Sequence, residues 1–276
     1  MKNNEQDKET STTISTVNRR AFFKGVGATG LGLAGAAIIG SKFGATEQKV
    51  EAASGVSDTD ILNFALNLEY LEAEFYLMAT WGATLRSIGV ITAADETGPT
   101  TGGQMVPGFG KFPEAFMATN IRKDELSHVM YLRSALGSAA VKKPAINLDA
   151  LGFGYAGVHD FLKLARIFED TGVSAYLGAA PLITSSVYLA AAGAILSTEA
   201  QHSGSIRLKV ITNGVKSPAF DALDVPPTPN ALYDVDKNGL SIPRTTSQVL
   251  NVVYGGGKCS GGFFPNGLNG GIVCQS

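Results

Sequence analysis

The chain is poor in cysteine, histidine, tryptophan and charge: two Cys, three His, one Trp and only 17% Asp, Glu, Lys and Arg in 276 residues. Two cysteines exclude a thiolate metal cluster and a disulfide-dense scaffold. A net charge of −2 with no basic block excludes the electrostatic footprint of a nucleic-acid binder. The longest apolar run near the N-terminus, Gly25 to Gly40, has sixteen residues and six glycines, too short and too glycine-rich for a comfortable membrane-spanning helix. What the chain does have is 45% apolar residues, enough for one substantial core or at most two small ones.

The apolar run follows "NRRAFFKG", with the paired arginines Arg19 and Arg20, then Phe22, Phe23 and Lys24. Val50-Glu51-Ala52 supplies a small-residue cleavage pattern before Ala53. Residues 1–52 thus resemble a twin-arginine export signal that is removed, and place the mature protein in the periplasm, outside the cell or on its surface. An uncleaved anchor is the alternative. Beyond residue 52 there remain fifteen Lys/Arg against nineteen Asp/Glu. In an exported chain, Cys259 and Cys274 read most simply as one local disulfide closing a Gly-rich loop.

Four stretches carry helical periodicity. Ser57 to Trp81 has a capping residue in Ser57 or Asp58; about Pro113 to Leu136 opens with Pro-Glu; about Gly157 to Ala180 stops before Pro181; about Thr184 to Thr212 closes at Asn213-Gly214. Helices of this length with shared apolar faces predict an all-α, up-and-down four-helix bundle over residues 53–215. A long polar insertion at 82–112 separates the first two helices, and a crossover, "KPAINLDALGFGY", joins the halves. Residues 216–276, rich in Pro and Gly, are expected to pack on the bundle as an irregular extension.

Two of the three histidines follow a glutamate by three residues: Glu125 with His128, and Glu199 with His202. With twelve glutamates in the chain, chance places one there roughly 4% of the time per histidine. On a helix, residues three apart share a face, so each pair presents a carboxylate and an imidazole together. A two-metal site inside a bundle needs one further carboxylate from each of the other helices. Glu69 on the first and Glu169 on the third supply them, each with a tyrosine seven residues on, Tyr76 and Tyr176. The tyrosines are core aromatics by default, or hydrogen-bond a ligand and carry an electron. Glu72 shares the face of Glu69, as a supporting or surface group, while Glu74 points elsewhere. Asp124 and Asp170 turn away by about 100° from their neighbouring glutamates and read as supporting or solvent groups. His159 reads as a surface or cap-region histidine, and Arg133 and Arg207, each five residues after a motif histidine, as surface arginines or as partners for excess carboxylate charge.

The order Glu…Glu-x-x-His…Glu…Glu-x-x-His resembles the ferritin-like superfamily. "DILNFALNLEYLEAEFY", "DELSHVMYLRSALG" and "EAQHSGSIR" are similar to exported ferritin-like domain proteins that include plant desiccation-related and fungal stress-response proteins. The resemblance spans about residues 57 to 275. It implies two iron or manganese ions bound by Glu69, Glu125, His128, Glu169, Glu199 and His202, with Glu125 and Glu199 bridging. Four carboxylates and two imidazoles suit Fe(II) or Mn(II). The expected chemistry is Fe(II) oxidation by O2 or peroxide, or manganese-catalase-like peroxide disproportionation, linked to stress or desiccation. A non-enzymatic protective bundle stapled by its metal is the rival. The insertion and the tail argue against a 24-subunit storage shell.

Overall fold

The computed structural model describes residues 55–275; the export signal read from residues 1–52 lies outside them. Among the described residues no helix is long and apolar enough to cross a membrane. Glu51–Ser276 clusters as one compact unit, bundle and C-terminal extension together.

Four long helices form the bundle: α1 (Asp58–Trp81), α2 (Glu114–Leu136), α3 (Val158–Ala179) and α4 (Ser186–Thr212). A short α5 (Thr246–Val253) follows in the extension. α1 packs closely on α2 and α3 on α4, and the two pairs meet through α1–α3 and α2–α4. Ser57 caps α1 in a capping box, its hydroxyl accepting from Asp60 N while Asp60 accepts from Ser57 N. α4 begins two residues later than the expected Thr184. Asp58 at the start of α1 accepts from Thr184 N (2.8 Å) and Ser185 N (2.7 Å), which holds those residues outside the helix and leaves Ser185 as its cap.

α1 is not the half-exposed helix that shared apolar faces imply: every residue from Ile61 to Leu77 is buried. Its outer face is covered by the 82–112 insertion and the C-terminal extension. Leu85, Ile91, Val106 and Phe109 of the insertion join the core. Thr100–Thr101 (β1) of the insertion pairs in parallel with Ile146–Asn147 (β2) of the crossover, so the two long connections brace one another. The buried Lys143 closes this brace, donating from Nζ to Gly98 O and Thr100 Oγ1.

The extension is attached by polar groups as much as by apolar ones. Asn67 on α1 donates to Asn269 O and accepts from Asn269 N. Arg244 N donates to Ser174 O on α3, and the contact is so close that a Cβ on Gly178 would stand 1.9 Å from Arg244 O. Only glycine fits there. Phe263 packs edge-on against Phe168 of α3 at 4.9 Å. The Cys259–Cys274 disulfide closes the final loop, inside which Tyr254 Oη accepts from Leu268 N and donates to Val273 O.

Candidate metal centre

The bundle brings all six sequence-predicted ligand residues to one place. Glu69 comes from α1, Glu125 and His128 from α2, Glu169 from α3, and Glu199 and His202 from α4. The four glutamates are 0% exposed, His128 8% and His202 5%. They form two overlapping groups: Glu69, Glu125, His128 and Glu199; and Glu125, Glu169, Glu199 and His202. In each group one N or O atom per residue lies within 4.8 Å of all the others. Glu125 and Glu199 belong to both.

The contacts are those of lone pairs converging on a common point. His128 Nδ1 stands 3.1 Å from Glu69 Oε2, 3.3 Å from Glu199 Oε1 and 3.4 Å from Glu125 Oε2. His202 Nδ1 stands 2.9 Å from Glu125 Oε1 and 3.4 Å from Glu169 Oε2. Two ligand atoms each about 2.1 Å from one cation and at right angles to it are about 3.0 Å apart. Despite these short separations, both oxygens of Glu125, both of Glu199, Glu169 Oε2 and His202 Nδ1 are buried with no hydrogen-bond partner among the described residues. Burying several carboxylates without compensation costs far more than the fold can supply, so the donor set fits divalent cations.

Charge tells the same story. Burial pushes the Glu125 carboxyl up to about 7, with Glu69 and Glu169 adding to the effect and the two imidazoles opposing it. Glu199 is pushed well above the usual carboxylate range by burial and by Glu125. Burial works against a charged His202, yet Glu169 and Glu125 outweigh it and push the ring up to about 12. Without cations, the cluster therefore keeps protons that cations would displace.

The tyrosines pair crosswise. Tyr76 on α1 donates to Glu169 Oε1 on α3, and Tyr176 on α3 donates to Glu69 Oε1 on α1, both at 2.5 Å. Glu69 and Glu169 thus each have one oxygen held by a phenol and the other, Oε2, facing an imidazole Nδ1. Burial, with the adjacent carboxylate second, raises both phenol pKa values well above the ordinary range, so the hydroxyls remain donors.

Several flanking residues differ from their sequence reading. Glu72 is not a surface group: it is 4% exposed, and burial and Glu199 raise its carboxyl well above the usual range. Gly172 opposite has no side chain because a Cβ would stand 2.7 Å from Glu199 Oε2 and 3.2 Å from Glu72 Oε1. Glu74 does point elsewhere but is buried, accepting from Leu85 N and anchoring the insertion. Arg207 is fully buried, bonded to Asp170 (2.7 Å) and to the carbonyls of Leu232 and Val225. Arg133 bonds Tyr70 Oη and Asp95. Neither arginine is an ordinary surface residue, because the insertion and the extension supply partners that a bare bundle lacks. Asp170 also accepts from Ser203, while Asp124 lies 3.2 Å from His202 Nε2. His159 is exposed and apart from the cluster. Glu72 was findable: it follows Glu69 by one helical turn with apolar neighbours on both sides.

A four-helix bundle that lines its core with two Glu-x-x-His helices and two further glutamates defines the ferritin-like class of carboxylate-bundle proteins. The chain belongs to the ferritin-like domain family, whose model matches residues 57–211. It is similar to the ferritin-like catalase Nec2 of Nesocodon mauritianus, 24% identical across 79% of this chain and 85% of that one. It is also similar to the desiccation-related protein PCC13-62 of Craterostigma plantagineum, 26% identical across 55% of this chain and 52% of that one, so it spans about half the length of this relative.

Proposed function

We propose that the chain is an exported ferritin-like metalloprotein that holds two iron or manganese ions and consumes peroxide, in protection against stress or desiccation. The observation that carries this reading is the pair of buried ligand groups sharing Glu125 and Glu199. Glu69 and His128 would complete one cation position and Glu169 and His202 the other, with Glu125 and Glu199 spanning both. Oxygen and imidazole donors suit Fe(II) and Mn(II) over softer ions. Similarity to a protein named a catalase, along most of both chains, favours peroxide over Fe(II) as the substrate.

Bound ions would supply the redox change by which two peroxides become two waters and dioxygen. The chain supplies the rest. The packing that leaves all four glutamates 0% exposed keeps bulk water from the reacting space. Glu125, pushed up to about 7 in the metal-free fold, would give up its proton near neutrality as the cations enter. Tyr76 and Tyr176 fix the outer carboxylates so that their free oxygens face inward. Export through the twin-arginine route, which carries folded cargo, fits a protein loaded with its metal before secretion; replacing Arg19 and Arg20 by lysine would strand it in the cytoplasm.

The test is oxygen release from hydrogen peroxide by chain loaded with manganese or with iron. Release that disappears in folded Glu125→Ala and His128→Ala variants supports the enzyme. Metal binding without turnover of peroxide or Fe(II) would leave a protective bundle stapled by its ions, the reading that similarity to a desiccation-related protein favours.

A further inference from the structure

The two halves of the centre are built alike up to their histidines and differ beyond them. His202 Nε2 lies 3.2 Å from Asp124 Oδ2, contributed by α2 across the α2–α4 seam. A carboxylate only accepts, so in the neutral ring Nε2 carries the hydrogen and Nδ1 keeps the lone pair that faces Glu125 and Glu169. The ring is locked in both tautomer and orientation. His128 has no such support: its Nδ1 faces three glutamates, but its Nε2 has no partner among the described residues. Its side chain is also the more exposed of the two, 10% against 6%.

Resting on the two-cation reading above, we infer that the two positions are unequal, with Asp124 acting as a positioning residue that makes the His202 position the tight one and leaves the His128 position exchangeable. An anionic partner on the outer nitrogen raises the basicity of the inner one and removes the cost of orienting the ring, and losing such a partner typically weakens metal binding 10- to 100-fold. The sequence carries a partial hint of this asymmetry, since Asp precedes the first Glu-x-x-His motif and Thr the second, but not which histidine the aspartate serves. Asp124 sits directly before Glu125, yet it serves the histidine of the opposite helix. Its side chain is half exposed, so its replacement leaves the packed core intact.

The test is titration of the metal-free full chain with Mn(II), the free aqueous ion being counted by its EPR signal. Wild type should bind in two unequal steps. Asp124→Ala should weaken the tighter step 10- to 100-fold and leave the other where it was, while Asp124→Asn, which keeps an accepting oxygen, should fall between them. In a His128→Ala background the surviving step should respond to Asp124→Ala, and in a His202→Ala background it should not. Equal weakening of both steps, or no change in either, overturns the assignment while leaving the two-ion centre standing. Wild type that takes up no Mn(II) or Fe(II) at all would overturn the two-cation reading itself.

Discussion

Two clusters of buried charge lie side by side in this bundle, and they are solved in opposite ways. The centre collects Glu69, Glu125, Glu169 and Glu199 with two imidazoles, and among the described residues no Lys or Arg pairs with these glutamates. One turn away, between α3, α4 and the extension, Arg166 binds Asp224 and Asp170, Arg207 binds Asp170, and Arg244 binds Asp221. In the second cluster three arginines of the chain itself offset Asp170, Asp221 and Asp224 and fasten the extension, while burial holds the neighbouring Asp234 carboxyl up at about 6. In the first, the compensation would come from protons or cations taken from solution, so a buried group of like charges could serve as a binding site where a group of largely opposed charges serves as a fastening.

The sharpest break comes from the matched cluster. Arg207→Ala should cost about 3 kcal/mol in urea unfolding, because the buried Asp170 loses its closer guanidinium and keeps only Arg166 at 3.4 Å and the Ser203 hydroxyl. Replacing Arg207 and Asp170 together by leucine should recover much of that loss.

The centre should respond with the opposite sign. Glu125→Gln should stabilise the metal-free protein at pH 8 by about 1–3 kcal/mol, since it removes a carboxylate that the fold holds near pH 7. The same variant should lose metal-dependent stabilisation. A melting comparison with and without Mn(II) reads both.

pH separates the clusters further. Glu125 and His202 have raised values in the fold, so their favourable contribution is present at low pH. It is lost as pH rises through about 7 for Glu125, and continues to fall towards about 12 for His202. Asp221 behaves oppositely. Burial tends to raise its carboxyl, but Arg244 outweighs this and holds it below its usual value, so its contribution is lost on acidification below about pH 4. Metal-free protein should therefore lose stability as pH climbs from 5 to about 9, and metal-loaded protein should not; denaturant midpoints across that range check it.

The smallest effect is expected at the crosswise phenols. Tyr76→Phe removes one donor to Glu169 and should cost about 1 kcal/mol or slightly more, without altering the helices by circular dichroism.

Four helices, their approximate ends and the six residues that converge in the core were legible because they obey period and spacing: Glu-x-x-His recurs, and Tyr follows glutamate by seven. The crosswise pairing was not, since a seven-residue spacing puts Tyr76 near Glu69 along α1, while the donor it offers reaches α3. Nor was the complete burial of α1, because the segments that cover it, 82–112 and the extension, have no periodicity to read. The choice between a supporting and a surface role for Glu72, and between a carboxylate partner and a surface residue for Arg207, stayed open for the same reason: a charge on a helix face looks solvated until something non-local packs over it.

The central claim is that this cluster of unmatched carboxylates is completed by two divalent cations. Elemental analysis of the chain purified from its own cells tests it most directly. The account predicts close to two iron or manganese ions per chain, falling well below that in Glu125→Ala. Folded protein from the same source carrying no transition metal, and taking none up from solution, would contradict it.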